Sequence, residues 1–430
     1  MSIISDMVQN AGGFGIESLD EFTGNPTDFH DSMEAISCDV EEAYSELKDD
    51  IVAIDAVTSS YEELDEILTD LEVSSESLTS ETSVLISRQV RNALKPFGGA
   101  LGSPVPSQEC FSDETEAERN TTVSAEGLKD TLKSIWQTIK NLVIRAVAAV
   151  MNFFSKLFQG WKKIQARAEA IQTSIAGLSK DPEGTVKVKY ISAMAFKGSA
   201  KSDVLVTGCE QLQSKMVAVK TSLAETDKAY ARLVSGFEAA VKGDNKGWFE
   251  GAKAFFGAIK ESGKDLSNVN LPGNNMLIAL KGSVPVADDA SDDVSKGLSY
   301  MEAVKLVIPT IKKNSTGKKA DEHQVIDKGT KAQLTKLMAA VIDIANVGAE
   351  RKKYIEQISQ KRRDAVNNVD KAIADADKGF FKGGWDKGKI RLLARSVSRD
   401  ASKYVNDLEK IAFSACRGYV SYAESSLSAK

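Results

Sequence analysis

Between Thr131 and Ala168 the chain carries seven lysines and arginines and no acidic residue. Apolar residues fall at 132, 135, 136, 139, 142, 143, 146, 147, 150, 153, 154, 157, 158, 161 and 164, the i, i+3, i+4, i+7 spacing of one helical face. A helix over these residues is about 57 Å long at 1.5 Å per residue. An apolar stripe of that length must be covered along its extent. Trp136, Phe153, Phe154, Phe158 and Trp161 lie on the stripe, and Gly160 is a point where the helix can bend or break. Three coverings are open: packing against a C-terminal helical hairpin, a membrane surface, or a partner helix.

This stretch begins just after an abrupt change of charge. Residues 1–126 contain 28 acidic and five basic side chains, a net of -23, and residues 127–430 contain 33 acidic and 50 basic, a net of +17. The whole-chain value of -6 conceals this division. Such asymmetry predicts two segments with different partners, or segments parted by processing. With 42% hydrophobic residues the chain has the composition of a globular protein. Cys38, Cys110, Cys209 and Cys416 are far apart, with no CxxC spacing, and read as reduced thiols. The N-terminal residues lack the basic and apolar regions of a secretory signal. No run of about 18 uncharged apolar residues argues for a spanning helix.

Elsewhere the pattern is mainly helical. Residues 38–72 form an acidic amphipathic helix or helix pair, and 72–122, rich in Ser, Thr, Gly and Pro, read as a linker. Residues 185–191 and 276–280 read as two short strands that can pair with each other. Residues 203–262 are helical, with glycines at 243, 247, 251 and 257 marking breaks or close packing, and 287–297 form a polar connection. Lys331–Asp377 and Lys389–Tyr422 are expected to make an antiparallel hairpin across a Gly-rich turn. The expected fold class is mainly α, a bundle or hairpin of long amphipathic helices with a small two-stranded β element.

Catalytic constellations are missing from this pattern. His30 and His323 lie outside any metal or triad context, which excludes the usual histidine-based acid–base and nucleophilic chemistry. Residues 383–390 have the GxxxxGK frame, but Ile390 stands where a phosphate loop places Ser or Thr, so they read as a Gly-rich turn. Asp288, Asp289, Asp292 and Asp293 lack the ligand alternation of a calcium loop and read as a solvated turn. No metal or cofactor is expected. Basic clusters are the stronger signal: Arg351, Lys352, Lys353, Lys361, Arg362, Arg363, Lys389, Arg391, Arg395 and Arg399 are candidate phosphate contacts for non-specific nucleic-acid binding.

At the charge switch stands the triplet Ser124-Ala125-Glu126, followed by Gly127 and the basic helix. This arrangement resembles the internal head proteins of giant, phiKZ-like tailed bacteriophages, in overall architecture and over residues 124–160. The resemblance implies an acidic propeptide cut by a prohead protease after Glu in a Ser/Ala/Gly-X-Glu triplet, and a mature part held in the capsid with DNA. The triplet also ends at Glu17, Glu34, Glu62, Glu76, Glu109 and Glu114 before the switch, and at Glu210, Glu238, Glu322 and Glu350 after it. Position singles out Glu126, the last acidic residue before the change, in a stretch that reads as a flexible linker. The expectation is a non-enzymatic virion protein of two parts, 1–126 and 127–430. Its partners would be the prohead protease, packaged DNA and other proteins of the capsid interior, with ejection into the host open. The alternative is a membrane-active, pore-forming-toxin-like helical protein using residues 131–168.

Overall fold

A computed structural model describes residues 26–73, 80–95, 114–241, 244–264, 266, 268–279, 293–314, 325–376 and 403–428. The elements in chain order begin with three helices, α1 (Pro26–Val73), α2 (Ser80–Ala93) and α3 (Glu114–Ala176). Then come β1 (Thr185–Lys187), the short α4 (Ile191–Met194), α5 (Ser202–Val241), α6 (Asn245–Lys264), β2 (Val269–Leu271) and β3 (Asn275–Ile278). The chain continues through α7 (Asp293–Val307), β4 (Thr310–Lys313), β5 (Val325–Asp327), α8 (Lys331–Ala376) and α9 (Lys403–Leu427). The mainly helical class with a small β component is the observed one.

The acidic pattern at 38–72 belongs to one helix rather than a pair, and that helix starts earlier, with Pro26 as its first residue. Proline fits there because the first helical turn has no use for its missing N–H. The stretch read as linker contains α2 and the first turns of α3. Composition misled because Ser and Thr are only weakly unfavourable in helices, and α2 gains burial of Val90 and Ala93. Likewise, α7 begins inside the expected polar connection.

α1 packs along α3, α3 also packs on α8, and α8 on α5; α6 then packs against α5 and α7. Gly236 makes the α5–α6 crossing close, since a Cβ there would stand 2.6 Å from the Gly247 carbonyl oxygen. α3 runs unbroken through Gly160. The glycine is there for space: a Cβ would lie 2.3 Å from the Phe413 ring of α9. Next to it, Trp161 meets Phe413 edge-on at 5.4 Å and occupies the room left by Gly348 of α8.

The two strands foreseen from sequence form but do not pair with each other. β1 pairs antiparallel with β5, Val186 opposite Ile326, while β3 lies between β2 and β4, with Met276 opposite Asn270 and Lys312. Strand pairing over about 140 residues of chain is a tertiary decision that local alternation does not encode. The β2–β3 turn uses Gly273 and Asn274, both with positive φ, a conformation these two residue types tolerate best.

Among the described residues two apolar clusters result. One joins the N-terminal half of α1, the C-terminal half of α3, and parts of α5, α8 and α9 with both sheets. The other joins the C-terminal half of α1 with α2, the N-terminal half of α3, the end of α5, α6 and α7. α9 lies in the middle of the first, against α3, α4, α5 and α8, and is buried on nearly every side.

Candidate processing junction and charged interface

Ser124, Ala125, Glu126 and Gly127 all lie within α3, about three turns from its start, not in a flexible linker. Glu126 is exposed, Gly127 half-buried, and Leu128 fully buried in the second cluster. The Thr131 hydroxyl donates to the Gly127 carbonyl at 2.8 Å. Burial in α3 is therefore reached within two residues of Glu126. Before it, Asn120-Thr121-Thr122-Val123 is a run of weak helix formers, the composition from which end-fraying starts.

Downstream, three basic side chains of α3, Arg145, Lys156 and Arg167, meet carboxylates. Arg145 pairs with Asp50 of α1, and that hydrogen bond raises the guanidinium pKa above its ordinary value. Lys156 Nζ lies 2.8 Å from Asp39, and Lys163 donates to Ser32, with burial lowering its pKa. Glu424 of α9 accepts from both Arg167 of α3 and the His30 ring of α1. α1 reaches α9 again through Lys410–Glu41 at 2.5 Å and a Tyr44–Asp407 hydrogen bond. Burial, then the Asp407 carboxylate, push the Tyr44 phenol well above its usual range. Asp39, Glu41 and Asp50 were not singled out from sequence. The available signal was the pair of apolar periods with opposite charge at 38–72 and 131–168.

The candidate phosphate contacts divide. Arg351 is not a surface cation: it is fully buried, with Nη1 2.5 Å from a buried Glu409 carboxylate and Nη2 donating to the Met216 carbonyl. Its place on the α8 face turned toward α5 and α9 overrides its membership of a basic run. Lys361 holds both Asp227 oxygens at 2.6 Å. Lys352, Lys353, Arg362 and Arg363 are on α8, but their side chains lie outside the described residues, as do Lys389, Arg391, Arg395 and Arg399 altogether. The GxxxxGK frame, His323, Asp288, Asp289 and Asp292 are also outside them, while Asp293 opens α7 and pairs with Lys296 at 3.6 Å. Among the described residues no group of His, Cys, Asp or Glu is arranged to hold a metal ion.

Three of the five aromatic residues of the α3 stripe are covered, Phe158 is half-buried, and the Trp136 side chain lies outside the described residues. Phe153, Phe154 and Trp161 are all 4% exposed or less, with Tyr44 of α1 against Phe153 at 5.8 Å. Covering therefore comes from the C-terminal helices, as one reading expected, and equally from the acidic helix. Glu126–Ala176 is long and apolar enough to cross a membrane by length and composition, a test that a buried core helix also meets.

The model of phiKZ-like phage internal head proteins matches residues 39–429. This chain belongs to that family. The match includes α1 from Asp39 onward and crosses Glu126, so acidic helix and basic body fall within one family unit. No curated protein and no solved structure matches the chain. A phiKZ-like internal head protein resides inside the virion capsid, and this one is a helical structural component of it.

Proposed function

We propose that this internal head protein is a non-enzymatic packaging component, made with an acidic segment that is cut by the prohead protease after Glu126. The basic remainder contacts packaged DNA without sequence preference where the acidic helix gives way to phosphate, beside other proteins of the capsid interior, and can leave the head with the DNA. The observation that carries this reading is the seating of Asp39, Asp50 and Glu41 on Lys156, Arg145 and Lys410. Carboxylates already on those cations compete with phosphate, which screens the body during assembly. Exposure of Glu126, two residues before the buried Leu128, supports the cut.

Two measurements test it. Intact mass and N-terminal sequencing of the chain from virions should find Gly127 first, and a chain starting at Met1 would refute processing. Full-length protein carrying Asp39→Asn, Glu41→Gln and Asp50→Asn should bind duplex DNA more tightly at low salt, with a steeper salt dependence, since each freed cation adds a phosphate contact. Unchanged affinity would refute masking.

A further inference from the structure

We propose that α1 stays docked when the chain is cut at Glu126, so that the cut protein is a two-chain complex with the acidic helix as a non-covalent subunit. This rests on the processing reading above and adds that cutting and unmasking are separate events.

The interface is a core, not a surface contact. Among its described side chains, α1 places twelve apolar ones at 9% exposure or less, and they enter both apolar clusters. Met33 and Leu47 lie in the first cluster, and Tyr61 and Leu64 in the second; none is more than 2% exposed. Interfaces that resemble a domain core cut in half are of the obligate kind. Polar ties cross the cut as well: Tyr44 to Asp407, Glu41 to Lys410 and His30 to Glu424 join α1 to α9, on the far side of Glu126.

The fold also protects α1 against being cut away piecemeal. Two Ser-X-Glu triplets occur inside it, ending at Glu34 and Glu62, and their middle residues are Met33 and Tyr61, each 1% exposed. A protease reading either triplet must first pull a core side chain out of the molecule. At Glu126 the glutamate is exposed, and the first buried side chain is Leu128 beyond it.

The test uses the full chain with a recognition sequence for a site-specific protease inserted within residues 96–113, so it does not depend on the viral protease. After complete cutting, size exclusion at low and at 1 M salt is followed by denaturing electrophoresis of the peaks. Both fragments should co-elute at both salts, because apolar packing is not screened as ion pairs are. Elution of the α1 fragment apart from the body at either salt would overturn the proposal. In the same assay Lys156→Glu should leave the fragment bound and Leu47→Asp should release it, with circular dichroism of the uncut variants confirming their helicity. Release by Lys156→Glu would show an electrostatic hold and equally overturn it. A virion chain that starts elsewhere than Gly127 would sink the processing reading and leave this result standing.

Discussion

Arg351 and Glu409 are 0% exposed and face each other across α8 and α9. Arg351 Nε and Glu409 Oε2 have no hydrogen-bond partner among the described residues, so the pair is incompletely compensated for its loss of water. Removing one member leaves a buried charge alone, which costs about 3–5 kcal/mol, whereas replacing both by apolar residues is often neutral or stabilising. Arg351→Ala should therefore lower the urea midpoint sharply, and Arg351→Met with Glu409→Leu should restore most of it. A double variant no better than the single one would show that the pair supplies more than charge compensation. Burial also pushes the Cys209 and Cys416 thiols well above their ordinary value. The unfolded chain ionises these thiols above about pH 8.5 and the folded chain does not. It follows that the stability they contribute is complete below that pH and declines as pH rises through the folded pKa values. Chemical denaturation from pH 7 to 10 should show this loss, and Cys209→Ser with Cys416→Ala should flatten it.

At the scale of elements, α3 is held by two kinds of contact of very different worth. Lys156–Asp39 is a partly exposed pair at 2.8 Å, and such pairs contribute about 0.2–1 kcal/mol. Phe153 is fully buried against Tyr44 and Phe154, and truncating a core Phe costs about 3–5 kcal/mol. Guanidinium melts of Lys156→Ala and Phe153→Ala should rank in that order, and equal losses would mean that charge, not packing, fixes α1 on α3. The sequence made α1, α3 and α8 readable, because a helical period sustained over more than thirty residues has no strand alternative. It did not reveal why Gly160 is glycine. That answer is the Phe413 ring, supplied by a residue 253 positions away.

At the scale of the molecule, the last described helix is the innermost. Val405, Leu408, Cys416, Tyr419 and Val420 are all 0% exposed, and α9 touches α1, α3, α4, α5, α8, β1 and β4. Four of its charged residues meet neighbouring helices rather than open solvent: Asp407 and Lys410 meet α1, Glu409 meets α8, and Glu424 meets α1 and α3. Deletion of residues 403–430 should therefore abolish the cooperative thermal transition and the near-ultraviolet dichroism while leaving helical signal. A deletion variant that melts cooperatively would show that the outer helices form a core without it.

The sequence alone determined the helical class, the charge boundary at Glu126 and the helical faces that need cover, because period and composition are local properties. The triplet and that boundary carried the resemblance to phiKZ-like internal head proteins. Only the tertiary structure decided what covers each face. It set the acidic helix on the basic one and removed Arg351 from the surface. It also sent β1 to β5 rather than to β3, and placed Glu126 in a helix instead of a linker. Each of these is a choice of partner between residues distant in the chain, and burial against a particular neighbour is not written in the spacing of either one.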